Sequence, residues 1–279
     1  MTLAAGQRTR SRIPTVAHWA AAGEADRDIG PWIGSLVQEF GLNGARIASR
    51  RVAADALRGQ AVTDAARQVF LDALSDLPGG PCRVWAFLPR PTDRDDDSFQ
   101  RYMRFNTGRT DAYRRMAEHV RVMPAGTCVG HAGNDLVVHA LWLEGAFTAV
   151  ENPRQRPAWL YSDRFGPVPP AFTRATRTDG LLFASGTASV IGEESMHHGQ
   201  LEAQFDESVR NLAALADAGG GDGAWRALQI YVRDAADLDR VEVLAKDRFG
   251  DRVDRILHAP ICRHELLLEI EGICRASKP

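Results

Sequence analysis

The sequence predicts an α/β fold built from two similar halves, each a sheet with helices packed on one face, and three observations carry that expectation. Helical and strand-like patterns alternate along the chain instead of falling into separate blocks. The order helix, strand, helix, strand, strand occurs twice, and the endings correspond: GTCVGHAGNDLVVHALWLEG in the first half, HAPICRHELLLEIEG in the second. Such agreement reads as a structural duplication whose sequence has diverged. The 279 residues, 44% hydrophobic and 25% charged, have ordinary globular composition and can bury a sizeable core.

Residues 1–30 are rich in Ala, Arg and Asp without a clear period and are expected to form an irregular lead-in. The N-terminal half covers residues 31–150. In VTDAARQVFLDALSDL, Thr63 is placed as an N-cap, and Ala66, Val69, Phe70, Ala73, Leu74 and Leu77 recur at helical spacing. PGGP stops that helix. RVWAFLP reads as a buried strand, RPTDRDDDS as an exposed loop, and SFQRYMRFNTGRTDAYRRMAEHV as a helix with Phe99, Tyr102, Met103, Tyr113, Met116 and Val120 on one side. AGTCVG and DLVVHALWLEG finish the half as strands. Residues 151–178 hold five prolines, which suit a connecting or binding loop and exclude a central strand or helix. In the C-terminal half, residues 179–279, GLLFA is a buried strand and GQLEAQFDESVRNLAALADAGGG an amphipathic helix ended by glycines. ALQIYVR is a strand, DLDRVEVLAKDRFG a helix, and RVDRILHAPICRHELLLEIEG a closing pair of strands.

Charge and cysteine usage narrow the function. The formal net charge is −2, with no Lys/Arg block and no interleaving of basic and aromatic residues. Phosphate backbones need concentrated positive charge, so a small molecule is the expected partner and nucleic acid is not. Cys82, Cys128, Cys262 and Cys274 lie far apart with no C-x-x-C pair, as befits free thiols in the cytoplasm. The opening MTLAAGQRTRSR has no apolar core of a signal peptide, and no uncharged apolar run approaches the roughly 20 residues a membrane helix needs. His197 and His198 are adjacent and no third ligand is in register, so no metal is expected.

Three segments could carry chemistry. In HELLLEIEG, alternation sends Leu266, Leu268 and Ile270 one way and Glu265, Leu267, Glu269 and Glu271 the other. That pattern fits a half-buried strand with a solvated acidic face. It also fits an enclosed glutamate, if the halves pack sheet edge to sheet edge; such a carboxyl would be raised by desolvation and kept as a general acid. On the RYMRFNTGRTDAYRRM helix, Tyr102, Asn106, Arg109 and Tyr113 share a face with Phe99 and Met116. They suit either snorkelling at an element edge or the capture of a carboxylate, with Arg101 and Arg104 on neighbouring faces. Finally, the small residues of SGTASVIG follow a core strand, where backbone N–H groups can approach a ligand, or simply form a tight turn. Cys262, in PICR, is ordinarily a small buried hydrophobe.

Taken in order, RYMRFNTGR, LYSDRFGPVPPAF, SGTAS, GQLEAQ with NLAAL, ICR and EIEG resemble the chorismatase family, and more distantly the RidA/YjgF fold. The resemblance spans roughly Arg101 to Gly272. It implies two RidA-like (chorismate-mutase-like) halves, no metal or organic cofactor, and removal of the enolpyruvyl group of chorismate. By the same resemblance Glu269 protonates the enolpyruvyl methylene carbon, Arg101 and Tyr102 meet substrate carboxylates, and Tyr161 joins from the connecting loop. Arg109, Gly186 and Thr187 complete the candidate binding set. One branch of the family makes a dihydrodiol acid; the other passes through an arene-oxide-like intermediate to hydroxybenzoate. Gly186 in SGTAS and Cys262 in ICR match the second, so 3-hydroxybenzoate is the expected product, with Cys262 as a catalytic candidate. Val168 stands where the pattern has Arg, and Glu193 where it has His; the first removes a carboxylate contact and the second places like charge near an anion site. A RidA-like imine hydrolase and a silent small-molecule binder remain the alternatives. Two fused halves can satisfy internally the interfaces that single RidA-like units satisfy by assembling, which points to a monomer.

Overall fold

The structure, a computed structural model, describes residues 29–94, 99–178 and 180–277; of the expected irregular lead-in over residues 1–30, residues 1–28 lie outside them, and Ile29 and Gly30 are helical. The chain runs through α1 (Ile29–Glu39), β1 (Arg46–Ala53), α2 (Gln60–Ser75), β2 (Arg83–Pro89), α3 (Arg101–Arg115), β3 (Ala125–His131) and β4 (Asp135–Trp142). There follow β5 (Thr148–Val150), β6 (Ala175–Thr178), β7 (Leu181–Ala184) and a short ribbon, β8 (Val190–Ile191) and β9 (Glu194–Ser195). The rest is α4 (Leu201–Ala218), β10 (Arg226–Val232), α5 (Leu238–Phe249), β11 (Val253–His258) and β12 (Leu268–Arg275).

One sheet has the order β1-β4-β2-β3, the other β11-β10-β12-β7-β6-β5. In the first, β4 is antiparallel to both β1 and β2, and β3 is parallel to β2. In the second, β12 is antiparallel to both β7 and β10, and β11 is parallel to β10. So β7, α4, β10, α5, β11 and β12 repeat β1, α2, β2, α3, β3 and β4 one for one. The duplication is longer than the sequence pattern, because each half opens with a strand. In β1, RIASRRVA, the edge position leaves most residues exposed and erases the apolar alternation.

Strand alternation then builds three cores. Val84, Ala86 and Leu88 of β2 pack beneath α2 and α3 with Val69, Phe70 and Phe105. Trp85 and Phe87 point the other way, onto Phe183, Tyr231 and Leu257 of the second sheet. Leu228, Ile230, Val232, Leu268 and Ile270 lie beneath α4 and α5. The sheets therefore pack face to face, not edge to edge as the sequence suggested, and strands buried on both faces read as continuous apolar runs. α1 seals this central layer with Ile29, Trp32, Ile33 and Leu36. Trp32 meets Trp85 edge-on at 6.0 Å and donates to Asp254 at 3.1 Å, so the helix grips both halves.

Other expectations change in detail. Thr63 lies inside α2, whose N-cap is Gly59, and its hydroxyl donates to the Arg104 carbonyl at 3.2 Å. It sits there because α2 and α3 approach closely: a Cβ on Gly108 would lie 2.2 Å from the Thr63 oxygen. The closing strands β11 and β12 do not pair, since β10 runs between them. β5, assigned by sequence to the first half, is the outer strand of the second sheet, and β6 lies beyond the last proline of the connecting segment. Among the described residues no helix is long and apolar enough to cross a membrane.

Candidate active site

β12 is the strand that sets the site. Leu268 and Ile270 take its helix-facing side, leaving Glu269 and Glu271 between the two sheets at 5% and 2% exposure. Leu266 and Leu267 precede the strand and break the expected alternation, one joining the central core and the other the helix-side core. Glu269 lines a cavity of about 740 Å³, its open mouth included, at the junction of the halves. Tyr102 and Arg109 of α3 and Cys128 of β3 come from the first half; Tyr161, Phe165, Phe172 and Arg174 come from the connecting segment; Gly186, Cys262 and Arg263 come from the second half.

The walls are cationic and aromatic. Arg109, 2% exposed, donates to Asn106 at 2.8 Å and lies over the Phe105 and Phe172 rings. Arg174 donates to the Tyr161 hydroxyl at 2.5 Å and to the Arg156 carbonyl at 2.9 Å, and it stacks on Tyr161 and Phe172. Arg263 reaches the Glu193 carbonyl at 2.8 Å and lies 4.1 Å over Phe165. The buried Nε atoms of Arg109 and Arg174 have no hydrogen-bond partner. Among the described residues none of the three arginines is paired with a carboxylate, and Glu269 is the only acidic side chain in the lining.

Glu269 does not neutralise them. Burial, reinforced by the nearby charge of Glu271, pushes its carboxyl up to about 8; Arg83, Arg174 and Arg263 pull against that rise without cancelling it. At neutral pH it holds its proton. Burial, then the nearby Glu269, pushes the Cys262 thiol up to about 12, and burial also raises Cys128 and Tyr102 well above their ordinary values. The cavity thus presents guanidinium charge, one neutral acid, two protonated thiols and the protonated Tyr102 phenol. Gly186 makes room for the acid: a Cβ there would lie 1.6 Å from Glu269 Oε1.

Of the residues singled out from sequence, Glu269, Cys262, Tyr102, Arg109, Tyr161 and Gly186 meet in this cavity. Arg101 does not. As the first residue of α3 it donates to the carbonyls of Pro89, at the end of β2, and of Leu57 and Ala54, in the loop after β1, at 2.9, 2.5 and 2.7 Å, and so ties the start of α3 to both. Thr187 also falls outside the lining, its hydroxyl turned onto the Ser185 carbonyl at 2.9 Å and its backbone bridged to Ile270. Glu193 is not a repulsive charge in the cavity: Ser162 binds it through both hydroxyl and N–H, Arg156 pairs with it at 3.2 Å, and these contacts lower its carboxyl. Val168 lines a separate apolar pocket with Tyr113, Met123 and Trp159. Among the described residues no group of three or more His, Cys, Asp or Glu could hold a metal ion.

Arg174, Arg263 and Cys128 were missed from sequence. Arg263 stands beside Cys262 in ICR, the one available signal; Arg174, among the threonines of AFTRATRT, and Cys128, in AGTCVG, follow no spacing rule.

Fold and cavity define a class: a duplicated α/β protein with one neutral buried acid facing cationic, aromatic walls where its halves meet. Residues 48–142 match the model of the chorismatase FkbO/Hyg5-like N-terminal domain. The chain is 32% identical over 211 residues to a 3-hydroxybenzoate synthase of Streptomyces hygroscopicus, covering 68% of this chain and 62% of that protein. It is 32% identical over 209 residues to a chorismatase of Streptomyces rapamycinicus, covering 68% of this chain and 63% of that one. A crystal structure of a chorismatase superposes with a TM-score of 0.72 at 27% identity, covering 82% of this chain and 74% of the other. Over about two thirds of its length the chain is similar to chorismatases, and it spans about three fifths of the length of the curated relatives it matches.

Proposed function

We propose that the protein removes the enolpyruvyl group of chorismate, releasing pyruvate and 3-hydroxybenzoate. One observation carries the reading: a carboxyl kept neutral faces a cavity walled by three arginines that lack carboxylate partners. Chorismate brings two carboxylates and an enol ether, so it supplies the missing negative charge and a carbon that takes a proton. Arg109, Arg174 and Arg263, with Tyr161, are suited to the carboxylates, because guanidinium forks match carboxylate geometry. The aromatic side chains pack the ring, and the buried setting keeps water from competing for the charges.

Glu269 gives its proton to the terminal methylene carbon, leaving an oxocarbenium centre next to the ether oxygen. The ring C–O bond then breaks, and its electron pair turns that oxygen into the keto oxygen of pyruvate. In the hydroxybenzoate branch the adjacent ring hydroxyl closes onto the carbon being vacated, giving an arene-oxide-like intermediate. Its opening and the loss of a ring proton complete the aromatic product. The methylene carbon takes up one proton and the ring C–H gives one back, while the ring hydroxyl releases its proton as it closes and the oxygen regains one as the epoxide opens, so the protons balance and no water is consumed. Gly186 supports this branch by leaving space, and Cys262 by offering a protonated thiol, a weak donor that brings no water to the ring. A relative named 3-hydroxybenzoate synthase points the same way. Because the sheets bury their faces on each other within one chain, we also infer a monomer.

The test is to incubate the protein with chorismate and follow pyruvate and aromatic product. Absence of pyruvate from folded protein removes the reading; a dihydrodiol acid in place of 3-hydroxybenzoate overturns the product alone.

A further inference from the structure

We propose that Glu271 is a positioning residue for Glu269: a carboxylate whose hydrogen-bond partners all donate to it, fixed on the same strand face as the acid and tied through Thr127 to the Gly186 peptide. The inference rests on the reading of Glu269 as the proton donor.

Donor and acceptor roles settle the charge on Glu271. Its Oε2 accepts from Arg83 Nη2 at 2.6 Å and from the Thr127 hydroxyl. Its Oε1 accepts from Trp85 Nε1 at 2.8 Å, Gln229 Nε2 at 3.0 Å and the Tyr231 hydroxyl at 3.4 Å. Guanidinium and indole N–H groups cannot accept. Thr127 has one proton and two lone pairs; the Gly186 N–H at 2.9 Å and Arg83 Nη2 at 2.5 Å take the lone pairs, so its proton goes to Glu271. Tyr231 already accepts from Gln229 Nε2, which leaves its own proton for Glu271. A proton on Oε2 would be aimed at donors, and Oε1 likewise accepts from Trp85, Gln229 and Tyr231, so the partners suit an anionic Glu271; Gln229 Oε1 is the one buried polar atom among these groups left without a partner.

That anion acts on Glu269 in two ways. Side chains two apart on a strand share a face at about 7 Å, and at an effective dielectric near 20 a unit charge at that range moves a neighbouring titration by roughly one to two pH units. The groups facing Glu269 are Glu271, which raises it, Arg83, Arg174 and Arg263, which lower it, and Tyr102, Cys128, Cys262 and Tyr231, which interact with it as raised thiols and phenols. Glu271 is the largest charge effect and opposes all three arginines. The second effect is mechanical. Thr127 ties Glu271 to the Gly186 N–H, and Gly186 is the residue against which the Glu269 carboxyl rests.

The experiment uses the intact protein without substrate. The protonated Glu269 carboxyl is followed by its infrared band, assigned by its loss in Glu269→Gln, and is expected to titrate near pH 8 in the parent protein. Glu271→Gln removes the anion and leaves Arg83 unopposed, so the midpoint should fall by more than about one pH unit; Arg83→Met should raise it. Should Glu271→Gln fail to fold, the double variant Arg83→Met/Glu271→Gln takes its place, and its midpoint should lie more than about one unit below that of Arg83→Met alone. Thr127→Val should lower kcat at least about tenfold with KM nearly unchanged, and Thr127→Ser should restore it. A Glu271→Gln midpoint within about 0.3 unit of the parent, or one displaced in the same direction as Arg83→Met, overturns the proposal. The infrared midpoints need no turnover, so a protein inactive on chorismate would leave them standing, and shifted activity profiles with unmoved midpoints would sink Glu271 alone.

Discussion

Replacing Gly186 with alanine adds one methyl group where Glu269 leaves no space. The new Cβ would lie 1.6 Å from Oε1 and 2.5 Å from Cδ, whereas real Cβ atoms keep at least 3.0 Å, so Oε1 must withdraw by at least 1.4 Å (3.0 − 1.6). The backbone cannot give way cheaply, because the Gly186 N–H is held by Thr127 at 2.9 Å and the Thr187 N–H by the Ile270 carbonyl at 2.8 Å. The carboxyl can yield, since it faces the cavity. Gly186 is outside the left-handed region, so alanine carries no backbone penalty and gains about 0.4–1 kcal/mol from a less flexible unfolded chain. The melting temperature should therefore hold or rise. Pyruvate release should fall about 100-fold, the usual consequence of misplacing a reacting group by about 1 Å. Coupling pyruvate to lactate dehydrogenase measures the rate, and thermal unfolding measures stability on the same sample. Turnover within about threefold of the parent would refute the placement of the acid against Gly186.

Glu269→Gln should cost about 10²–10⁴ in kcat, and full activity in that variant would remove the acid. The rate should decline as pH rises through about 8, where Glu269 loses its proton, and a profile flat to pH 9 would contradict its role. Between 4.5 and about 8 the folded chain holds a proton that the unfolded chain has released. Stability should thus fall with rising pH across that window, by up to about 1.4 kcal/mol per unit, and Glu269→Gln should flatten the slope in urea titrations at several pH values. Arg174→Gln should raise KM by about tenfold or more with a smaller change in kcat, as expected when one charge-assisted contact of about 1.5–3 kcal/mol is lost; an unchanged KM would place the carboxylates elsewhere. Glu193→Gln should weaken substrate binding indirectly, because Ser162, Arg156 and the Tyr161–Phe165 stretch lose their anchor, and unaltered KM with normal folding would show the anchor to be dispensable.

The duplication was readable because strands buried on both faces are dominated by apolar residues: RVWAFLP and ALQIYVR announce themselves. Glu269 was readable for the opposite reason, being a charge repeated at strand period in an apolar run. What alternation could not reveal was which surface covered it. The pattern in HELLLEIEG is the same for a solvated face and for one pressed against a second sheet, and the difference lies in residues nearly two hundred positions away, such as Arg83 and Trp85. Arg101 shows the reverse failure. Its motif places an arginine beside Tyr102, but helical rotation sends the two side chains to different surroundings, and the carbonyls of Pro89, Leu57 and Ala54 claim the guanidinium. Glu193 was misjudged for lack of its partners, since Ser162 and Arg156 come from the connecting segment, whose path no periodicity describes.

The helix α1, which touches Trp85 in one half and Asp254 in the other, makes the acid vulnerable in a particular order. Each half keeps its own helix-covered core, so heating can part the halves while most helix and strand survive. Water entering that seam would ionise Glu269 long before circular dichroism registered a loss. Inactivation should run ahead of melting, and the gap between the two temperatures would gauge how firmly α1 holds the seam shut.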